Sequence, residues 1–193
     1  PDHPLARALL RAVGRPIAAP SANPSGRISP TTAAHVLSGL DGRIGAILDG
    51  GPCPIGVEST IVGFDPAPTL LRPGGIPTGP IEACLGEALS LPTTANQPTA
   101  PGQLASHYAP SASLRLNAVT AREGETLIGF GPVKGSQTLS GSGDLTEAAA
   151  NLFALLHQLD ASSHSRIAIA PIPDHGLGLA INDRLRRAAA PRP

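Results

Sequence analysis

Residues 91–112 constrain the fold of this chain more than any other feature, because they separate two stretches that must each form a core. The segment contains four prolines and three threonines, with serine, alanine and glutamine between them, and it shows no hydrophobic periodicity. Such a composition is typical of a linker. We therefore predict a first unit over residues 1–90, a linker over residues 91–112 and a second unit over residues 113–193.

The first unit is predicted to mix helices with short strands. Apolar residues recur at helical spacing over residues 4–13, and Gly14 is placed to end that helix. A second helix is predicted to begin at Pro30, with Ser29 as its N-cap, and to end near Gly39. A third helix opens at Pro80, and strands are predicted at residues 17–19, 44–48, 57–64 and 70–72.

The second unit alternates strands with helices, which favours a small parallel α/β sheet. Asp144 is predicted to cap one helix, with Glu147 at the capping-box position, and residues 176–190 form the last helix. The predicted strands are residues 114–119, 126–130 and 166–170.

A polar loop at residues 20–32 carries Ser21, Asn23, Ser25 and Ser29 and opens into the second helix. Such a loop is a common way to bind phosphate, because free backbone N–H groups and the helix dipole both favour an anion. An ordinary capped loop is the alternative, and the loop by itself favours that alternative.

Two other positions are unusual for their surroundings. Glu58, Ser59 and Thr60 lie consecutively in a predicted strand, so at least one side chain points inward and needs a partner, which is either structural or a ligand. Tyr108, the only tyrosine, lies in the linker. It either pins the linker to a neighbouring unit or covers a ligand as part of a lid.

The composition argues against several classes of function. Basic and acidic residues number 14 each, which gives no overall attraction to nucleic acid or to an anionic membrane. The last helix carries Arg184, Arg186 and Arg187, which are predicted to lie on a solvated face, with an RNA or partner contact as the alternative. No apolar run approaches the roughly 20 residues that span a bilayer. No zinc motif, Walker loop or nucleophile elbow occurs, no metal site is predicted, and the two cysteines suit a cytoplasmic protein.

Four segments, taken together and in this order, resemble the YrdC-like L-threonylcarbamoyladenylate synthases. They are Pro20-Ser-Ala-Asn-Pro-Ser-Gly with Ser29-Pro-Thr-Thr, Gly56-Val-Glu-Ser-Thr, Leu71-Arg-Pro-Gly-Gly and His107-Tyr-Ala-Pro. The linker and the last helix are similar to the two-domain form of the family. The resemblance implies the C-terminal half of a YrdC-like twisted α/β domain, a Pro-rich linker and a small Rossmann-like domain.

The resemblance also implies an enzyme that joins L-threonine, bicarbonate and ATP with the help of Mg²⁺. The product, threonylcarbamoyl-AMP, would be used by a tRNA-modifying transferase complex to make t6A, and RNA binding stays open. By motif, Ser21, Ser29, Arg72 and Tyr108 would bind ATP. Ala19, through its backbone, and Ser59 would line the threonine pocket. Asn23, Ser25 and Glu58 are second choices that would shape the loop and strand, and no catalytic residue is assigned.

The family carries a Lys-x-Arg element and further ligand contacts that would precede Pro1. We therefore expect the 193-residue chain to be an N-terminally truncated, inactive form. Two other functions stay open: a non-catalytic module that binds nucleotides or double-stranded RNA, and a carbamoyltransferase domain of the hydrogenase-maturation type.

Overall fold

Two separate β-sheets form, one on each side of the predicted linker. The computed structural model describes residues 1–91, 100–162 and 165–191, so part of that linker, residues 92–99, lies outside the described residues. The elements in chain order are α1 (Pro4–Val13), α2 (Ala33–Leu40), β1 (Ile61–Gly63), β2 (Thr69–Arg72), α3 (Thr78–Leu85), β3 (Ser113–Arg115), β4 (Thr126–Gly129), β5 (Gln137–Thr138), α4 (Leu145–Ala161), β6 (Arg166–Ile169) and α5 (Leu177–Ala189).

The second sheet confirms the predicted mixed α/β class with a parallel sheet. Its strands lie in the order β3-β6-β4-β5, and every neighbouring pair is parallel. The side chain of Asp144 accepts a hydrogen bond from the backbone of Glu147 at 2.8 Å, as the predicted N-cap requires. The short strand β5 was not predicted, because two residues carry no readable alternation.

The largest buried cluster lies between this sheet and the helices α4 and α5. Leu152, Phe153 and Leu156 of α4 are almost fully buried there. The same cluster contains Ile28 from the polar loop and Tyr108 from the predicted linker. The core of the second unit is therefore completed by residues that precede it in the chain.

The first sheet is smaller than predicted, because polar contacts interrupt it. It consists of β1 and β2 paired antiparallel. The predicted strand 57–64 is reduced to β1, because the backbone of the residues just before β1 is hydrogen-bonded to groups outside a strand. The carbonyl of Glu58 accepts from the backbone of Gly75, and the carbonyl of Ser59 accepts from the Arg72 side chain. Thr60 bonds the backbone of Ile76 through its hydroxyl.

Two of the predicted strands are wrong. Residues 17–19 and 44–48 form no strand and pair with no other described strand. Their apolar side chains are instead among the exposed ones, with Ile17 at 43%, Ile44 at 41% and Leu48 at 57% exposure. A short apolar run forms a strand only where a neighbouring strand is available to pair with its backbone N–H and C=O groups.

The predicted N-cap of the second helix is also wrong. Helix α2 begins at Ala33, and the Thr32 hydroxyl accepts the capping bond from His35 at 3.2 Å. Ser29 lies three residues earlier, where it is 4% exposed and its hydroxyl is bonded elsewhere. Its partner, Glu58, belongs to the functional cluster described next.

Candidate functional site

Arg72, at the end of β2, is buried and holds two distant backbone segments together. Its Nε and Nη2 atoms donate to the carbonyl of Ser59 at 3.2 and 2.9 Å, and Nη1 donates to the carbonyl of Pro101 at 2.9 Å. No carboxylate of the described residues forms an ion pair with Arg72. A guanidinium that is hydrogen-bonded yet not neutralised is suited to meet an anion.

Tyr108 lies in the core, which agrees with the prediction that it pins the linker. It is 1% exposed, and its ring lies 5.6 Å from that of Phe153. Its backbone adopts a left-handed conformation with φ +60°. The hydroxyl end approaches Gly102 so closely that a Cβ there would lie 2.3 Å from the hydroxyl oxygen and 3.2 Å from Nη1 of Arg72. The tyrosine hydroxyl and the arginine thus flank the same glycine.

Glu58 is the centre of a second group of contacts next to the first. Its Oε1 accepts from the Ser29 hydroxyl at 2.6 Å, and its Oε2 accepts from Nε of Arg184 at 3.0 Å. Burial alone would raise the pKa of Glu58, but the Arg184 charge and the Ser29 hydrogen bond outweigh burial and lower it. The carboxylate therefore stays ionised with both oxygens engaged. That leaves it poorly placed to act as a general base or a metal ligand.

Two histidines connect this group to helix α4. His157 of α4 donates from Nε2 to the carbonyl of Ser29 at 3.1 Å, and its ring stacks on His35 of α2 with the centroids 3.9 Å apart. Burial lowers the pKa of both imidazoles, and for His35 the neighbouring His157 adds to the effect. Both rings are therefore favoured in the neutral form, which is the form that stacks without repulsion.

The structure brings some of the predicted ligand residues together and leaves others apart. Arg72 contacts Ser59 directly, and Tyr108 approaches Arg72 through Gly102. Ala19 and Ser21 are both exposed, and no hydrogen bond found among the described residues joins them to this cluster. Their role in binding stays a prediction.

Among the second-choice residues Asn23, Ser25 and Glu58, only Asn23 makes a contact that shapes the polar loop from within. The side-chain amide of Asn23 donates to the carbonyls of Pro24 and Arg27, which closes the polar loop on itself. Ser25 is exposed. Glu58 instead links the segment before β1 to the last helix.

Arg184 is the residue of this cluster that sequence reasoning missed. It was predicted to lie on a solvated face, and that is wrong because it is 1% exposed. The signal was present in the spacing: position 184 falls on the same helix face as Ala180, Ile181 and Ala188, all of which are buried. Arg186, which lies off that face, is 59% exposed, as predicted.

Two family models match the chain and together cover almost all of it. The model described as the C-terminal domain of threonylcarbamoyl-AMP synthase matches residues 76–190. The model Sua5_yciO_yrdC, described as telomere recombination, matches residues 1–74.

Curated relatives and solved structures agree with these matches. The chain is 41% identical to the threonylcarbamoyl-AMP synthase of Bacillus subtilis, over 100% of its own length and 62% of the relative. It is 37% identical to the Pyrococcus abyssi synthase, over 100% of its own length and 63% of the relative. The crystal structure of P. abyssi Sua5 complexed with L-threonine superposes with a TM-score of 0.86 at 35% identity, covering 98% of this chain and 62% of that one. The chain thus spans about three fifths of the length of the proteins it matches.

Proposed function

This chain belongs to the threonylcarbamoyl-AMP synthase family, and on that premise we propose that it forms part of an enzyme that makes threonylcarbamoyl-AMP. The substrates are L-threonine, bicarbonate and ATP. The threonine amine and bicarbonate give a carbamate and one water. A carbamate oxygen then attacks the α-phosphorus of ATP, forming the mixed anhydride and releasing pyrophosphate. Catalysis of this kind depends mainly on positioning and charge neutralisation.

The observation that best supports this function is the position of Arg72. Its buried guanidinium is held by backbone carbonyls, lacks a carboxylate partner among the described residues, and lies between Ser59 and the hydroxyl end of Tyr108. We assign Arg72 and Tyr108 to ATP and Ser59 to L-threonine. Ser29 is assigned to the ATP site by motif, although its hydroxyl donates to Glu58 in this structure. Ala19 and Ser21 are assigned to threonine and ATP by motif.

Mg²⁺ is proposed to arrive with ATP. No group of three or more His, Cys, Asp or Glu side chains in the described part of the chain could hold a metal ion. Both oxygens of Glu58 already accept hydrogen bonds. The described residues thus do not fit a protein-built magnesium site, whereas the phosphates of a nucleotide are common ligands for this ion. No step of the reaction is assigned to it.

The product would pass to a transferase complex that modifies tRNA, and we propose the cytoplasm as the location of the reaction. No described helix is long and apolar enough to cross a membrane. RNA binding by this chain is the weaker proposal because its 14 basic residues are balanced by 14 acidic ones. A carbamoyltransferase of the hydrogenase-maturation type is not favoured, because residues 76–190 match the C-terminal domain of the synthase.

Pyrophosphate release, measured on the complete gene product that carries this sequence, tests the proposal. Release should require ATP, L-threonine and bicarbonate together, and mass spectrometry should detect threonylcarbamoyl-AMP. Arg72→Gln should reduce the rate strongly, whereas Arg166→Gln, which changes an exposed arginine of β6, should not. Pyrophosphate release that does not depend on threonine would refute the assignment. Because the 193-residue chain spans about three fifths of the length of its relatives, we expect it to give no turnover by itself.

A further inference from the structure

Arg184 reaches out of the second unit and contacts the first unit beside both proposed ligand residues. Nε and Nη2 lie 3.0 and 2.9 Å from Oε2 of Glu58, which directly precedes Ser59. Nη1 donates to the carbonyl of Pro73, which directly follows Arg72. One buried guanidinium therefore holds the side chain of the residue next to Ser59 and the backbone carbonyl of the residue next to Arg72.

The same guanidinium also supports Tyr108. Its carbon Cζ lies 5.5 Å from the centroid of the Tyr108 ring, within the range of a cation–π contact. Asp183 orients the group from the preceding position, at 3.2 Å from Nη1. Arg184 of α5 thus contacts the Tyr108 ring and the residues directly next to Arg72 and Ser59 in sequence.

We propose that Arg184 is a positioning residue of the nucleotide site, through which the second unit sets the geometry of Arg72 and Tyr108. This inference deepens the proposed function and rests on it. The donors of the Arg184 guanidinium are directed to Glu58 and Pro73, so we assign Arg184 no direct contact with ATP. It acts by fixing Glu58 and the Pro73 carbonyl, and a displacement of about 1 Å at a reacting centre can cost on the order of 100-fold in rate.

The chemistry explains why arginine is needed at this position. Glu58, Pro73 and the Tyr108 ring lie in different directions, and a planar fork with several donors can serve them at once. A lysine would keep the charge but supply a single point of attachment. Arg184→Lys is therefore expected to keep the ion pair with Glu58 but to lose the contact with the Pro73 carbonyl.

ATP affinity, measured by calorimetry on the complete gene product, gives the first test. Arg184→Met should weaken ATP binding by about tenfold or more, as removal of a supporting partner commonly does. Arg184→Lys should fall between this variant and the native protein. Arg186→Met is the matched control because it removes an exposed arginine from the same helix, and its affinity should stay within about twofold.

A double variant separates positioning from folding. Arg184→Met leaves the Glu58 charge without Arg184, and adding Glu58→Gln removes that charge, so the double variant should keep the melting temperature of the native protein. The hydrogen bond to the Pro73 carbonyl is still missing, so ATP should still bind weakly. Full recovery of ATP affinity in this double variant would overturn the proposal.

A readout without ligand keeps the test independent of the proposed function. In the native protein the Nε–H of Arg72 is bonded to Ser59 and buried, so its NMR signal should exchange slowly with solvent. Arg184→Met should make that exchange faster by at least about tenfold, whereas Arg186→Met should not. Unchanged exchange in a folded Arg184→Met protein would overturn the positioning role. Failure of the native protein to bind ATP, with exchange altered as expected, would instead refute the proposed function alone.

Discussion

Substitution of Gly56 by alanine should destabilise the protein by disturbing a close contact between the two units. Gly56 opens the Gly-Val-Glu-Ser-Thr segment and lies directly against helix α4. A Cβ at this position would lie 2.2 Å from the carbonyl oxygen of Ala149 and 2.5 Å from Cα of Ala150. Both atoms belong to a helix backbone, which cannot move aside as a side chain could.

Two terms add up to the expected cost. Gly56 has φ +76°, and a residue with a side chain in that left-handed region costs about 1–2 kcal/mol. Forcing an extra carbon into a closely packed contact costs roughly 1–3 kcal/mol more. We therefore expect Gly56→Ala to reduce the free energy of unfolding by about 2–5 kcal/mol, with loss of the neighbouring Glu58–Arg184 contact placing it in the upper part of that range.

Gly51→Ala is the matched control. Gly51 has φ +84°, and nothing lies within 4 Å of its added Cβ, so it carries the conformational cost without the clash. Urea unfolding of both variants gives the two free energies. The expected result is a loss of about 1–2 kcal/mol for Gly51→Ala and a clearly larger loss for Gly56→Ala. Equal losses would show that α4 does not hold the Gly56 segment.

Three further predictions address the same cluster. Tyr108→Ala should cost about 3–5 kcal/mol of stability because its ring is a core side chain, whereas Tyr108→Phe should cost less than about 1.5 kcal/mol. Urea unfolding measures both free energies, and equal costs would show that the Tyr108 ring does not anchor the linker to the core. Glu58→Gln should cost about 3 kcal/mol because it removes the closer carboxylate from the buried Arg184 charge and leaves Asp183 as the remaining one, and an unchanged urea midpoint would contradict this. Since the folded-state pKa of His157 lies below the usual value of 6.5, its contribution to stability should be present above pH 6.5 and be lost as the pH falls through the lower folded value. In urea titrations at several pH values, His157→Gln should flatten that dependence and the exposed His175→Gln should not.

The parts of the fold that could be predicted are those set by local signals. Helix α1 ends at Gly14, which adopts the left-handed conformation that its position implied. Helix α4 begins at the predicted cap Asp144. In both cases a residue's own conformational preference or its bond to a near neighbour decides the boundary. These signals are readable without knowing what packs against the helix.

The parts that could not be predicted depend on residues far away in the chain. Ser29 has the right chemistry for an N-cap, but its hydroxyl bonds Glu58, and Thr32 caps the helix instead. Arg184 was placed on the surface because arginine usually lies there, although its spacing placed it on the buried face of α5. Both expectations are reversed by the same partly buried carboxylate, that of Glu58, whose two oxygens accept hydrogen bonds from Ser29 and Arg184.

Besides the apolar contacts of Ile28 and Tyr108 with the large core, the two units are joined by polar contacts that end on motif residues. Helix α4 supplies the backbone against Gly56 and the His157 bond to Ser29, and α5 supplies Arg184 to Glu58. If Arg184 raises ATP affinity by holding the site in place, thermodynamic linkage requires that ATP tighten the contact of α5 with the first unit by the same factor. Occupancy of the nucleotide site would then control how firmly the second unit is docked, so that the same bonds serve both recognition and assembly.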